Sequence, residues 1–195
     1  LSEISERCER ALPSMLRWLS VMTHPDGEIS YFNDAVLGIA PSLESLKTAA
    51  TELGIKWEEV QRDETIYLKH SGYCRLVAPN AVLLCDVAKV GPDYLPAHAH
   101  ADTLSFELSL FGKRVFVNSG TSTYAVGDLR NYERSTCAHN TVEINGKNSS
   151  EVWSSFRVGM RANPIRQEFQ KAGHVQILRC GHDGYKGHFR GALHY

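Results

Sequence analysis

Apolar residues recur at helical spacing in two segments near the start of the chain. Across residues 4–19 they stand three or four positions apart, which predicts an amphipathic helix. Pro13 is expected to kink or divide this helix, because proline has no amide hydrogen to donate. A second stripe covers residues 42–53 and is flanked by a proline and a glycine, the usual start and stop signals. The pattern therefore predicts a helical first part, residues 1–56.

After Trp57 the pattern changes to short alternating runs separated by turn-forming residues. The clearest run is 104–111, where leucine and phenylalanine alternate with serine and glutamate, so that one face of a strand is buried. Further strands are predicted at 65–69, 73–77, 81–88, 115–118, 139–145, 156–160, 174–180 and 189–195. Helices followed by many antiparallel strands indicate a mainly β protein, with a helical region joined to an antiparallel β-sandwich. We expect the sandwich to occupy residues 57–195 and to be cut short at its C-terminal end.

Charge and hydropathy narrow the classes of partner. The chain has 195 residues and a net charge of -1, so no general basic field favours nucleic acid or an anionic membrane surface. No apolar run is long enough to span a bilayer. An acidic polymer would have to be held by a local group of arginines and lysines.

The cysteines do not form a recognisable framework. There are 5 of them, an odd number without C-x-x-C spacing, which argues against a disulfide scaffold and a zinc ribbon. Most are expected to be small buried apolar groups. A bridge between Cys74 and Cys85, on adjacent predicted strands, stays open.

Histidines carry the candidate chemistry. His98, His100 and Asp102 alternate along one segment, and on a regular strand all three would share a face. A metal ion or an anionic substrate would supply the partners that such buried polar groups need, whereas a solvated strand end is the simpler alternative. His139, at the start of a predicted strand, and Asn118, before a glycine, each have an ordinary structural role as the alternative.

The segment 120–136 is long, contains glycine, and is rich in tyrosine and arginine. Long loops on a sandwich are usually functional or flexible. Its candidates for substrate contact are Tyr124, Arg130, Tyr132 and Arg134. Surface packing, or an ion pair of the arginines with Asp128 or Glu133, explains them about as well.

Several of these segments resemble the heparinase II/III-like family, which includes heparin and heparan lyases and oligoalginate lyases. The resemblance is carried by PAHAHADTLSFELSLFGKRVFVNSGTSTY and RSTCAHNTVEING, and more weakly by DGEISYFNDA, WSSFRVGMRANP and HDGYKG. The combination of HAHAD, VNSGTSTY and RST..HNTV is much more specific than any one strand pattern. The resemblance implies the last helices of an α/α-toroid followed by an antiparallel β-sandwich.

The resemblance also implies a chemistry. Members of the family cleave uronate-containing polysaccharides by β-elimination, in which a base removes a carbon-bound proton and an acid protonates the leaving oxygen. His98 matches the catalytic histidine of the sandwich, and His100 and His139 match two ligands of a zinc site. Asn118 stands where the family has an aspartate ligand, and an amide is the poorer zinc ligand. Asp102 could compensate, but its position in the motif does not match that of the family's aspartate.

Further expectations follow from the same resemblance. Tyr124, Arg130 and Arg134 would help to bind an acidic polysaccharide, and a toroid domain of the same protein would supply the remaining catalytic groups. The 195-residue chain alone is therefore expected to be inactive. A periplasmic or secreted location is expected.

Two alternatives remain. A cupin-like metal-binding domain also carries an H-x-H pair, but its glutamate ligand would have to be Glu107, which has the opposite strand parity from His98 and His100. A non-catalytic carbohydrate-binding sandwich would bind a polymer without forming an unsaturated sugar.

Overall fold

The computed structural model describes residues 2–195, so Leu1 of the predicted helical part lies outside the described residues. Helix α1 is Ser2–Val21, and Pro13 lies inside it without dividing it, contrary to one of the two expected outcomes. Helix α2 is Leu43–Glu52 and begins where the side chain of Ser42 accepts a hydrogen bond from the amide of Ser45. Both helices therefore lie where the apolar spacing predicts them.

The centre of the fold is a five-stranded antiparallel sheet in which each strand pairs with the next along the chain. Its strands are β1 (Ile66–Leu68), β2 (Tyr73–Ala78), β3 (Ala81–Asp86), β4 (Phe106–Leu110) and β5 (Lys113–Phe116). The predicted strand 104–111 is too long at both ends. Leu104 and Phe111 have positive φ angles of 66° and 51°, which end the extended conformation on either side of β4.

Two antiparallel hairpins follow a short helix, α3 (Asp128–Glu133), and a 3-10 turn at Thr136–Ala138. The small hairpin joins β6 (Val152–Trp153) to β7 (Arg157–Val158), and the long one joins β8 (Pro164–Ala172) to β9 (Val175–His182). β8 has no counterpart among the predicted strands, because its mostly polar and charged residues show no alternation of apolar side chains.

The long hairpin contacts the central sheet. The side chain of Gln167 donates a 2.5 Å hydrogen bond to the carbonyl of Val87. The rings of Tyr67 and Phe169 lie 5.8 Å apart. The hairpin is thus fixed beside the first three strands and the loop that follows them.

Two predicted strands, 139–145 and 189–195, are wrong, and the regular strand on which His98, His100 and Asp102 would share a face is not formed. Residues 98–102 form turns and irregular backbone, since the amide of Ala101 bonds to the carbonyl of Arg134 rather than to a neighbouring strand. Within 139–145 the structure has only the isolated bridge partner Ile144, and within 189–195 only His194. In each case side-chain and loop contacts, which leave no periodic pattern in the sequence, replace a strand ladder.

The expectation of a mainly β protein with antiparallel sheets and few helices is confirmed. A compact apolar cluster joins the end of α1 to the central sheet, with Met22 and Phe32 against Val82 and Leu84. None of the helices in the described part of the chain combines the length and the apolar run needed to cross a bilayer.

The cysteines are free thiols throughout the described residues, although Cys74 and Cys85 lie directly opposite each other on β2 and β3. Burial raises the pKa of each of these two thiols to about 12. Cys74 is buried, Cys85 and Cys180 are half-buried, and Cys8 and Cys137 are exposed, so the expectation that most cysteines are buried is wrong.

Candidate catalytic and metal site

The centre of the candidate site is Asp34, which was not among the predicted site residues. Its carboxylate accepts hydrogen bonds from His98 Nδ1 at 2.7 Å and from His100 Nε2 at 2.8 Å. Arg130 donates to both of its oxygens, and the Thr121 hydroxyl donates at 2.8 Å. The two predicted histidines therefore meet at a shared carboxylate, not on the face of a strand.

Burial alone would raise the pKa of Asp34. The hydrogen bonds from His100, Arg130, Thr121 and His98 outweigh that effect and hold the pKa well below its ordinary value. Asp34 is thus ionised at neutral pH and can act only as an acceptor. In the sequence, Asp34 could have been found by its place in the DGEISYFNDA loop. Its neighbour Asn33 also faces the site, because the amide oxygen of Asn33 accepts a hydrogen bond from the backbone N–H of His100.

His98 and His100 differ in exposure. The side chain of His98 is 58% exposed, whereas that of His100 is completely buried. Because the Asp34 carboxylate accepts from Nδ1 of His98, a neutral His98 ring carries its lone pair on Nε2. This ring can therefore take up a proton from a bound molecule while Asp34 holds its orientation.

His100 and His139 face each other across 3.0 Å, measured from Nδ1 of the first to Nε2 of the second. The outer nitrogen of each ring is bound to a group that only accepts, His100 Nε2 to Asp34 and His139 Nδ1 to the carbonyl of Ser135 at 2.7 Å. Each outer nitrogen therefore carries the hydrogen, and two lone pairs point at each other. That arrangement requires a cation or an additional proton between the rings.

An additional proton is disfavoured there. Burial lowers the pKa of His139, and the nearby His100 lowers it further, although Asp102 opposes them. Possible ligand atoms of His100, Asp102 and His139 all lie within 4.8 Å of one another. Two imidazoles and one carboxylate are a donor set that suits zinc, so the residues present fit the metal that the family resemblance implies.

The structure favours Asp102 over Asn118 as the third ligand. One oxygen of Asp102 is buried without a hydrogen-bond partner among the described residues. The amide oxygen of Asn118 accepts from the backbone of Asn140 at 3.0 Å, so it is already used. Asp86 is buried too, and its pKa is raised well above the ordinary value by burial and by the neighbouring Asp102 charge. A cation would relieve this concentration of acidic groups.

Arg130 was expected to hold a substrate carboxylate, but its side chain is completely buried. Its N–H groups donate to Asp34 twice, to the hydroxyl of Thr121, and twice to the carbonyl of Ser155. All five donors of the guanidinium are therefore used within the protein.

Arg134 shows the same arrangement with other acceptors. It is completely buried, and its donors reach the carbonyls of Ala97, Ala99, Trp153 and Ser154. The open guanidinium fork expected for contact with substrate is absent at both arginines as they stand in this structure. Neither forms the ion pair with Asp128 or Glu133 that was the alternative; Arg130 pairs with the buried Asp34 instead, and Arg134 donates to backbone carbonyls.

Tyr124 lies where substrate contact was expected. It is 48% exposed, and its ring centroid is 5.9 Å from that of His98. Phe156 completes the group, at 5.5 Å from His98 and 5.3 Å from Tyr124. Tyr132 is also exposed, on α3. The side chain of His98 thus emerges beside an aromatic surface.

Glu107 holds the backbone next to the site and forms no hydrogen bond with His98 or His100. It is completely buried on β4, and its carboxylate accepts from His24 Nε2 at 2.8 Å and from the amides of Tyr31 and Asn118 at 2.9 Å each. It therefore fixes the loop that carries Asp34 against the central sheet. These contacts argue against the cupin-like alternative, in which Glu107 would be a metal ligand.

Comparisons with known proteins concern the family and the fold of this chain. The family described as Heparinase II/III-like, C-terminal matches residues 61–194. A heparin-sulfate lyase from Bacteroides stercoris is 36% identical over 104 residues, which is 51% of this chain and 14% of that enzyme.

Solved structures give the same result for the fold. The crystal structure of heparinase III superposes with a TM-score of 0.65 at 19% identity, covering 95% of this chain and 31% of that one. A heparan sulfate lyase from Pedobacter heparinus gives a TM-score of 0.62 at 19% identity, covering 88% and 28%. The chain thus spans less than a third of each of these relatives. Since the family match covers well over half of its residues, the chain belongs to the heparinase II/III-like family.

Proposed function

We propose that this chain is the sandwich portion of a polysaccharide lyase that cleaves a uronate-containing polysaccharide by β-elimination. The observation that carries the proposal is the exposed His98 ring, oriented by the ionised Asp34 next to a buried His–His–Asp group. The relatives named heparin-sulfate lyase and heparan sulfate lyase support an acidic glycosaminoglycan as the substrate class.

In the proposed reaction His98 moves a proton at its Nε2 atom. Asp34 accepts from Nδ1, which keeps the lone pair on the exposed nitrogen and stabilises the ring once it is protonated. Tyr124 and Phe156 form a surface against which a sugar ring can pack. The proton-transfer step and the sugar-binding surface therefore lie side by side.

His100, Asp102 and His139 would hold one divalent cation, zinc by the chemistry of the donors. Bound there, it would supply a fixed positive charge that joins the two imidazoles and neutralises Asp102. His100 in turn donates to Asp34, so order at the ligands is passed on to His98. Asn118 would be a neighbour of this group and not a ligand, because its amide oxygen accepts a hydrogen bond from the backbone N–H of Asn140.

Arg130 and Arg134 are proposed as positioning residues. Arg130 keeps the Asp34 carboxylate ionised and in place, and Arg134 binds the carbonyls of the loop that carries His98. Direct contact of either with a substrate carboxylate would require its present hydrogen bonds to be exchanged.

We further propose that residues 1–56 end a helical domain and that residues 57–195 form the sandwich. An apolar groove between α1 and α2 supports this division, since it offers Met15, Leu46 and Leu53 to a helical neighbour. The groups that complete the reaction would come from that domain, and a periplasmic or secreted location is consistent with a polysaccharide substrate.

The test of the function is the His98→Ala variant of the full-length protein. We expect β-elimination, followed by the absorbance of the new carbon–carbon double bond, to fall by about 100-fold or more. Zinc content and melting temperature should stay at the wild-type values, because His98 is exposed and is not a ligand. The matched control is His174→Ala, an exposed histidine at the turn of the β8–β9 hairpin.

Two outcomes would contradict the proposal. Loss of zinc in His98→Ala would show that the roles of His98 and His100 are exchanged. Polymer binding without any unsaturated product from the wild-type protein would favour a non-catalytic carbohydrate-binding domain. The 195-residue chain alone is expected to be inactive on heparin, heparan sulfate, hyaluronan, chondroitin and alginate; turnover of any of them would place the full catalytic set within it.

A further inference from the structure

A cleft of about 650 Å³ lies directly beside His98 and contains none of the three candidate metal ligands. Its walls come from the turn between β1 and β2, the loop after β3, and the start of β8. His98 and Ala99 form one end of it. The volume is in the range of pockets that bind small ligands, about 300–1,000 Å³.

The side chains that line this cleft have one sign of charge. Lys69, His70 and Lys89 are exposed along it, together with His98, and no aspartate or glutamate is among the lining residues. Neither lysine forms an ion pair with any residue in the range 2–195. Acidic and basic residues are almost equal in number in the whole chain, 22 and 21, so this separation is local.

The floor of the cleft is rigid. Gly72, with φ of +78°, lies so close to the loop after β3 that a Cβ atom would be 2.4 Å from Cα of Ala88. The amide of Val87 donates to the carbonyl of Gly72 at 2.8 Å, and the Trp18 indole donates to the hydroxyl of Ser71 at 3.1 Å. The positions from which both lysines extend are therefore fixed before any ligand binds, which lowers the entropic cost of binding.

We propose that this cleft is a subsite for an anionic substituent of the polysaccharide, a carboxylate or a sulfate, next to the sugar on which His98 acts. The inference rests on the proposed function and adds to it the residues Lys69, His70 and Lys89. The lysines attract the anion as point charges, and no arginine fork lines the cleft. The adjacency to His98 means that binding here sets which glycosidic bond reaches the base.

The experiment compares full-length wild-type protein with the double variant Lys69→Ala/Lys89→Ala. The control is Lys171→Ala, an exposed lysine on β8 that does not line the cleft. All proteins in this titration also carry His98→Ala, so that the probes are not cleaved. Dissociation constants are measured with a heparan sulfate oligosaccharide and with the same oligosaccharide after removal of its sulfates. We expect the double variant to bind the sulfated probe about tenfold more weakly, roughly threefold for each lysine, and Lys171→Ala to match the wild type.

The two probes distinguish the two anions. A loss confined to the sulfated probe identifies sulfate as the bound group, whereas an equal loss on both identifies the carboxylate. In either case the difference from wild type should shrink as salt is raised, because the lysines are exposed. Unchanged affinity of the double variant for both probes would overturn the inference. The inference would also fall if the wild type bound an oligonucleotide of equal charge more tightly than the sulfated oligosaccharide.

Failure of the subsite and failure of the lyase assignment are separable. If the wild type forms unsaturated product and the lysines have no effect on binding, the subsite is wrong and the lyase assignment stands. If binding depends on the lysines and no polymer is cleaved, the anion-binding cleft stands and the lyase assignment falls.

Discussion

Two pairs of histidines in this chain have the same ring-nitrogen separation and opposite hydrogen-bond logic. The nitrogens of His100 and His139 are 3.0 Å apart, and so are those of His182 and His194. In the second pair, Nδ1 of His182 accepts from the amide of Gly184, so Nε2 carries the hydrogen and donates to His194. That pair is complete as a neutral hydrogen bond.

The first pair is not complete in this sense, because both of its outer nitrogens donate to acceptor-only groups. Distance alone therefore does not identify a candidate metal site. What distinguishes the two pairs is the partner on the far side of each ring, which decides whether the facing nitrogens are donor and acceptor or two acceptors.

The largest effect expected from this comparison is on metal content. His139→Ala should abolish zinc binding and remove the stabilisation that zinc provides, about 4 kcal/mol when the free metal is at 1,000 times its dissociation constant. His194→Ala, the corresponding change in the second pair, should keep full zinc content. The measurements are metal analysis of protein purified without a nickel column and melting temperature with and without a chelator. Equal zinc in all three proteins would end the distinction between the pairs.

The second pair should instead respond to pH. Burial first, and then the nearby His194, lower the pKa of His182 to about 4, against 6.5 for an unperturbed histidine. The folded protein therefore binds fewer protons than the unfolded chain between these values. The stability contributed by the neutral pair is fully present above pH 6.5 and is lost as pH falls towards 4, by about 3 kcal/mol.

The variant that tests this is His182→Gln, which cannot titrate in that range. Its free energy of unfolding, measured by urea titration, should fall less between pH 6.5 and 4 than that of the wild type, even if the variant is less stable at pH 7. His174→Gln, at the exposed hairpin turn, should retain the wild-type pH dependence. An identical slope in His182→Gln and wild type would show that the pair does not carry this acid sensitivity.

A smaller effect on zinc affinity is expected from changing Asp34, which accepts a hydrogen bond from His100 of the first pair. Asp34→Asn removes the carboxylate charge that accepts the hydrogen bond from His100 Nε2. Loss of such a partner typically weakens metal binding by about 10- to 100-fold. Asp183→Asn, next to His182, should leave zinc affinity unchanged. Competition with a chelator of known affinity measures both. Wild-type zinc affinity in Asp34→Asn would indicate that the carboxylate does not orient His100.

The smallest effect is expected at Asn118. If its amide were the third ligand, Asn118→Asp should tighten zinc binding strongly. The amide oxygen of Asn118 is bound to the backbone of Asn140, and one oxygen of Asp102 has no hydrogen-bond partner within residues 2–195. We therefore expect a change below the roughly tenfold typical of a neighbouring contact. Asp102→Asn should weaken zinc binding far more. The reverse order of the two effects would restore Asn118 as the ligand.

The sequence allowed the class of fold to be predicted and the histidines of the candidate site to be recognised, for different reasons. Apolar periodicity placed both long helices and the strands of the central sheet, because those elements bury one face. His98, His100 and His139 were recognisable from their motif. Asp34 and the hydrogen bonds of Arg130 were not, because they depend on how irregular loops pack, and no local pattern encodes that packing. β8 was missed for a related reason, since its residues are mostly polar and partly exposed.

The position of Asp34 has a consequence for the order of folding. Its hydrogen-bond partners His98, His100 and Arg130 lie 64, 66 and 96 residues further along the chain. Contacts of such separation close large loops, and their entropic cost is recovered only when much of the chain is already ordered. The helical segment, the loop before β4 and α3 must all have met before this carboxylate is enclosed. We therefore expect the site to assemble among the last events of folding, so that zinc uptake during refolding follows formation of the central sheet.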